Sequence, residues 1–366
     1  MINNRNTGPT PLPPEVLTAM AQQPLSHRSV AFREAFSEVT AQLATLVNSP
    51  TPALLLTCSG TGGLEASIAS IVTANNRVLV LSAGSYGDLL VRIAGYFTPY
   101  LEVIRFTPGS VLEVAVLETQ LSQANYDVVL LTHSESSTGV YHPVSQVIAT
   151  IRAHSDALVL VDVVSSLGAT PIDMTQWGAD VMIGATQKSL MAPAGMAVVY
   201  LSERALRHIE RHPANYNYYM HLRPWLDAGQ QHSVPYTPAV NVFQGLQAAL
   251  RLIFIEGLTA RYQRHQAAAA RCRAFFAGHD RVRCFAPPEY TSHSITALHL
   301  SGRFSASAIK TRLEYEHHIV VSTGLGSLAE CLIRVGHMGH FTLAEVDEAL
   351  SAIAQVVQDE GSEHGD

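Results

Sequence analysis

The chain has 366 residues, 47% of them hydrophobic and 14% charged, with a formal net charge of −7. That length implies one large domain and a smaller one. The negative balance, with no block of basic residues, excludes nucleic acid or an anionic membrane surface as the main partner.

No stretch is apolar enough over bilayer length to span a membrane, and Met1–Asn6 lacks the apolar run of a signal peptide. The low charged fraction points to apolar surface covered by another subunit. Cys58, Cys272, Cys284 and Cys331 are scattered with no CxxC pair. That spacing predicts free thiols in a cytoplasmic setting, with no disulfide framework. His208/His212 and His317/His318 lack a third ligand at metal spacing, so no metal site is expected.

In chain order, apolar runs rich in Val, Leu and Ile predict strands at 53–57, 77–81, 101–106, 127–132, 157–161, 181–184 and 197–201. Amphipathic segments at 64–73, 88–96 and 144–154 fall between them. Strand–helix alternation with non-alternating apolar strands predicts an α/β fold. Its seven-stranded, mostly parallel sheet carries helices on both faces, and ligands bind at the carboxyl ends of the strands. Helical patterns at 241–255 and 260–277 lead out of this unit. A smaller α+β domain follows, with strands at 294–300 and 332–335 and helices at 305–315 and 343–357. The expected division is an N-terminal segment at 1–25 near the site, a large domain at 26–260, a small domain at 261–358 and a loose tail at 359–366.

Four strand ends carry chemistry. Cys58-Ser59-Gly60-Thr61-Gly62-Gly63 is a small-residue turn before a helix, fit either for an anion or simply for a tight turn. Ser82-Ala83-Gly84-Ser85-Tyr86-Gly87 projects Tyr86 from a loop, where a planar ring can stack on it. Thr132-His133-Ser134-Glu135-Ser136-Ser137-Thr138-Gly139 offers hydroxyl groups to a polar ring substituent. Leu158-Val159-Leu160-Val161-Asp162 ends an apolar strand on a carboxylate, which needs a cationic partner such as a protonated pyridine nitrogen. Lys188, in Gln187-Lys188-Ser189-Leu190-Met191, follows 26 residues later.

Lysine is almost absent from the chain. Lys188 and Lys310 stand against 21 arginines. Arginine stays protonated and cannot act as an amine nucleophile, whereas a desolvated lysine can form a Schiff base. Lysine, carboxylate, stacking ring and phosphate-type turn together meet the needs of pyridoxal phosphate.

These residues resemble the class-V aminotransferases of fold type I, nearest to the alanine–glyoxylate, serine–glyoxylate and serine–pyruvate branch. The resemblance begins at Thr7-Gly8-Pro9 and Ser26-His27-Arg28-Ser29. It continues through Ser59–Gly62, Glu135–Gly139, Val161-Asp162 and Gln187-Lys188 to Pro235–Asn241 and Arg334-Val335-Gly336-His337-Met338-Gly339. It implies a transaminase in which Lys188 anchors pyridoxal phosphate and Asp162 meets its ring nitrogen. Tyr86 and Val164 would pack on the two ring faces, and Ser136 would lie at the ring hydroxyl. Ser59, Gly60, Thr61 and Gln187 would hold the phosphate. Thr237 would reach the phosphate of a neighbouring subunit, making a homodimer with shared sites. Arg334 would grip the substrate carboxylate, with Gly8 and His27 lining the substrate pocket.

The expected substrates are a small amino acid, of the alanine or serine type, and a 2-oxo acid such as glyoxylate or pyruvate. Tyr216, Tyr218 and Tyr219 can shape the pocket or simply pack. The alternatives are a class-V lyase or desulfurase, for which Cys331 is the available thiol, and a biosynthetic aminotransferase with an unusual substrate. A nucleotide-binding α/β module without catalysis predicts no role for Lys188.

Overall fold

The computed structural model describes residues 2–211, 217–302 and 304–363, so His212 and Tyr216 lie outside the described residues. Seven strands form the main sheet in the order Leu54–Leu56, Ala197–Leu201, Val181–Ala185, Leu158–Asp162, Val128–Thr132, Val78–Ser82 and Leu101–Arg105. Ala197–Leu201 runs antiparallel to both neighbours, and every other pairing is parallel. The four strands Val78–Ser82, Val128–Thr132, Leu158–Asp162 and Val181–Ala185 are buried at every position. Alternate side chains of a strand point to opposite faces, so both faces of the sheet are covered. This is the α/β architecture that the apolar runs predict, with Asp162 at the end of its strand.

Two glycine-rich loops of the sequence reading are instead first turns of helices. Gly60–Ile71 begins within the first loop and Ser85–Ala94 within the second. Glycine has low helix propensity, so the helical pattern becomes visible only after these turns. Capping groups make the early starts possible. Ser59 Oγ accepts from Gly62 N at 3.2 Å, and a carboxylate from another strand caps the second helix.

A four-stranded antiparallel sheet follows, in the order Val282–Cys284, Ile295–Leu300, Leu332–Gly336, Ser322–Thr323. One apolar cluster runs from Val16 to Ile253 and a second from Ala268 to Val357. Between them, the helices Val240–Glu256 and Leu258–Phe275 meet at Gly257, whose φ of 81° favours glycine. The last helix, Leu343–Glu363, corrects the expected loose tail over residues 359–363. Arg312 pairs with Asp359 at 3.7 Å and Glu360 at 3.1 Å, which draws this polar stretch onto the helix Ala306–His317.

Residues 3–10 form a strap that periodicity does not predict. Asn3–Asn4 pairs in parallel with Ile319–Val320, and Gly336 N donates to Arg5 O at 2.7 Å. Thr7 N donates to Ser322 Oγ at 3.1 Å, then Thr10 N reaches Gln187 O at 3.0 Å. The strap thus crosses from the smaller sheet to the loop that carries Lys188.

Candidate active site

A cavity of about 270 Å³ lies at the carboxyl ends of the parallel strands. It brings together nine residues singled out from the sequence: Gly8, Ser59, Gly60, Thr61, Tyr86, Asp162, Val164, Gln187 and Lys188. Pro9, Leu64, Leu89 and Ala194 complete its lining.

One wall is the start of the helix Gly60–Ile71. Ser59 Oγ takes the Gly62 N–H, while the Gly60 and Thr61 N–H groups have no intrahelical partner, as in any first turn. A Cβ on Gly60 would come within 3.1 Å of Ala185 Cβ and 3.3 Å of Val164 Cγ2. Glycine therefore lets the positive end of the helix dipole seat tightly beside the cavity. Gln187 Oε1 is buried without a hydrogen-bond partner among the described residues.

Lys188 and Asp162 are only 8% and 6% exposed. Burial pushes the Asp162 carboxyl up to about 7, and nearby Glu135 adds to the rise; the Val164 N–H, 2.8 Å from Oδ1, and Lys188 oppose it. Burial lowers Lys188 to about 8, Arg334 pushes the same way, and Asp162 opposes. Both groups move toward neutrality, so desolvation outweighs their mutual attraction. Lys188 Nζ donates to the Thr7 carbonyl. A Cβ on Gly8, where φ is +105°, would lie 2.7 Å from Lys188 Cδ. The strap can pass over the lysine only as glycine.

Arg334 is buried beside this cavity, in the strand Leu332–Gly336. Its Nε donates to Thr323 O at 2.7 Å and its Nη1 to Ser136 O at 2.9 Å, while no hydrogen bond engages Nη2 among the described residues. Ser136 meets Arg334 through its carbonyl, and its hydroxyl stays unengaged among the described residues. Three other hydroxyls of that loop turn to protein. Ser134 Oγ meets Ser292 Oγ at 3.1 Å, Ser137 Oγ donates to Glu135, and Thr138 Oγ1 donates to Glu135 O at 3.3 Å.

Thr237 is exposed, and neither it nor His27 lines the cavity of this chain. Tyr219 stacks on Tyr236 with centroids 5.0 Å apart and packs edge-on against Trp225, and none of the three lines the cavity. Sequence reasoning assigned nothing to the Thr7 carbonyl or to Glu135. The first is a backbone atom with no side-chain signature. The second stands in the sequence as the first residue of the Glu135–Gly139 motif, with no role attached to it.

Parallel strands ending on a buried lysine and a buried carboxylate, with an open helix N-terminus alongside, define a pyridoxal-phosphate enzyme of fold type I. The family model described as aminotransferase class-V matches residues 2–348, and the chain belongs to that family. The chain is 32% identical over 358 residues to a protein of Synechococcus sp. (strain PCC 6716) named soluble hydrogenase, small subunit. That match covers 97% of this chain and 92% of the relative. A solved alanine–glyoxylate aminotransferase from Nostoc sp. superposes with a TM-score of 0.91 at 30% identity, covering 97% of this chain and 95% of the other. A solved pyridoxamine–pyruvate aminotransferase from Mesorhizobium loti gives a TM-score of 0.93 at 26% identity, covering 98% and 92%.

Proposed function

We propose that this chain is an aminotransferase that moves the amino group of a small amino acid, of the alanine or serine type, to a 2-oxo acid such as glyoxylate or pyruvate. The observation that carries this reading is one buried lysine within electrostatic reach of both a buried carboxylate and a buried arginine. The names of the two similar solved structures support glyoxylate or pyruvate as the acceptor.

The residues present fit pyridoxal phosphate. Gln187 Oε1 is orphaned, Asp162 has a single hydrogen-bond donor, and side chains at Gly8 or Gly60 would crowd the cavity walls. In this reading Ser59, Gly60, Thr61 and Gln187 hold the phosphate. Asp162 keeps a proton on the ring nitrogen, Tyr86 and Val164 take the two ring faces, and Ser136 Oγ lies toward the ring hydroxyl. When bound, the cofactor supplies an electron sink for the charge left at the substrate Cα once its proton leaves. Lys188 Nζ, brought by burial to about 8, takes up that proton as base and releases it as acid. Arg334 fixes the amino acid by its carboxylate, using the guanidinium edge that Thr323 and Ser136 leave uncommitted. Gly8 and His27 belong to the substrate side.

The working unit in this reading is a homodimer, with Thr237 serving the partner's site; its exposure in this chain supports that role. We place the large domain at 26–260, the small domain at 261–358 and the enzyme in the cytoplasm. Among the described residues, no helix is long and apolar enough to cross a membrane. The lyase alternative is less well supported. Cys331 Sγ lies 3.6 Å from Leu328 O and does not line the cavity.

A donor–acceptor screen tests the reading. Alanine or serine with glyoxylate or pyruvate should yield one new amino acid and one new oxo acid in equal amounts. Ammonia, sulfide or an alkene as the main product would instead establish a lyase.

A further inference from the structure

Glu135 lies at the end of the two-residue strand Ser134–Glu135 and is completely buried. Everything that its carboxyl group meets is a donor. Gly87 N lies 3.0 Å from Oε2, Tyr86 N 3.2 Å from Oε2, and Ser137 N 3.2 Å from Oε1. The Ser137 hydroxyl donates to Oε1 as well. Ser137 Oγ in turn accepts from Ser85 N at 3.2 Å. The first three N–H groups of the helix Ser85–Ala94 are therefore all taken by residues about fifty positions further along the chain.

This helix has no cap of its own. Gly84 occupies the N-cap position, and a Cβ there would lie 2.6 Å from the Glu135 carboxyl carbon and from Ser137 Oγ. The neighbouring helix Gly60–Ile71 is built the other way. Its local Ser59 cap takes one N–H and leaves those of Gly60 and Thr61, both lining residues of the cavity, without an intrahelical partner. One helix start is thus open for an anion, and the other is closed by a built-in carboxylate. The closed start is the one that carries Tyr86, a residue of the cavity lining.

The segment Glu135–Ser137 also touches the opposite side of the site, through its middle residue. Ser136, between Glu135 and Ser137, accepts from Arg334 Nη1 through its carbonyl. We propose that Glu135 is a positioning residue for the reaction. By closing the first turn of Ser85–Ala94 it fixes the Tyr86 ring over the cavity, and through Ser136 it sets the same segment against Arg334. This inference rests on the aminotransferase reading only for its kinetic consequence; the capping geometry stands without it. Burial raises the Glu135 carboxyl above the usual range, opposed by the Ser137 hydroxyl and the N–H groups of Gly87, Ser137 and Tyr86; Asp162 and Arg334 lie in its electrostatic reach.

Glutamine at 135 keeps the volume but turns an NH2 toward a cluster made entirely of donors. Hydrogen exchange of amides 85–87 in the cofactor-free protein, the visible circular dichroism of bound pyridoxal phosphate, and kcat and KM for the donor test the proposal together. For Glu135→Gln, exchange of amides 85–87 should speed up by about tenfold or more. The visible dichroism should change, and kcat should fall by roughly 10–100-fold with a smaller change in KM, as expected for misplaced reacting groups. Glu135→Asp should recover part of each loss. Ser137→Ala, which removes one supporting hydroxyl, should give a smaller effect in the same direction and carries the test if the glutamine variant does not fold. Unchanged exchange at 85–87 overturns the proposal. So does a loss of thermal stability with wild-type kcat and dichroism. If the wild type performs no transamination, yet the variants lose protection at 85–87 and alter the dichroism, the functional reading fails and the positioning role survives.

Discussion

Two aspartates at opposite ends of one sheet are both nearly inaccessible, yet they are treated differently. Asp180, just before the strand Val181–Ala185 at the amino end, is saturated. It accepts from Arg152 Nη2 at 2.7 Å, Arg204 Nε at 2.9 Å and Nη2 at 2.7 Å, Ser202 Oγ at 3.0 Å and Val159 N at 2.8 Å. Asp162, at the carboxyl end of the strand beside it, accepts among the described residues from Val164 N alone. A buried carboxylate is costly unless it is paired and hydrogen-bonded. Asp180 is a finished structural group, whereas Asp162 has Lys188 only in electrostatic reach and, in the proposed reading, is left for the cofactor's ring nitrogen. Cavity size points the wrong way here. The cleft at the amino end is about 630 Å³ against about 270 Å³, but its Arg204 is already committed to Asp180.

Removing the amine at the unfinished end should have the largest effect. Lys188→Ala is expected to lower turnover by at least about 10⁴-fold, because in the proposed reading it removes both the general acid–base group and the cofactor anchor. The variant should also lose the visible absorbance that wild type shows with added pyridoxal phosphate. An unchanged spectrum would place the anchor elsewhere.

The aspartates should respond with opposite signs in stability. The folded pKa of Asp162, about 7, lies above its unfolded value of about 3.8, so its buried charge destabilises the cofactor-free protein progressively as pH rises from about 4 to 7. Asp162→Asn should cut turnover by roughly 10³-fold, yet raise cofactor-free stability at pH 8 by up to ~4 kcal/mol, with the gain fading toward pH 4. Asp180→Asn should leave cofactor binding intact and cost about 2–3 kcal/mol. That is less than a fully buried pair, since Arg152 and Arg204 are 28% and 34% exposed. Chemical denaturation across pH measures both. If the two variants shift stability in the same direction at pH 8, the contrast between the sheet ends is lost.

Arg334→Lys probes the side of the site formed by the strand Leu332–Gly336. Lysine keeps the charge but cannot hold Thr323 O, Ser136 O and a carboxylate with one planar group. The donor KM should rise by about 10–100-fold, with a smaller change in the spectrum of the bound cofactor. A KM within a factor of about two of wild type would remove Arg334 from the substrate site.

Most of the sheet side of this site could be read in the sequence, because it depends on local patterns. An apolar strand that ends on Asp162, and a lysine kept among arginines just after the strand Val181–Ala185, are both visible without tertiary information. The helix starts were harder. Gly60 to Gly63 and Gly84 to Gly87 hide the first turns, and the cap of the second comes from Glu135, which is distant in sequence. The resemblance puts Gly8 and the N-terminal segment near the site, but the pairing of the strap is not legible in the sequence, for a different reason. Its two-residue strand at Asn3 pairs with Ile319 through backbone groups, which every residue carries alike. Thr237 and His27 came only from resemblance, and neither lies at the cavity of its own chain.

The smallest expected effect belongs to the other lysine. Lys310 lies on the helix Ala306–His317, 38% exposed, with Nζ 3.4 Å from Glu314 Oε2 in an i,i+4 pair. Such a surface pair contributes roughly 0.3–0.5 kcal/mol, and arginine can make the same contact. Lys310→Arg should therefore leave turnover unchanged and move stability by less than about 0.5 kcal/mol. The variant then holds a single lysine, Lys188, so borohydride reduction with pyridoxal phosphate followed by peptide mass mapping has one side chain to find. Label at Lys188 at the wild-type level identifies the buried amine as the reactive one. Label that disappears with Lys310 would mean the exposed amine had been reacting all along, and the depressed pKa of Lys188 would then reflect burial without a role in catalysis.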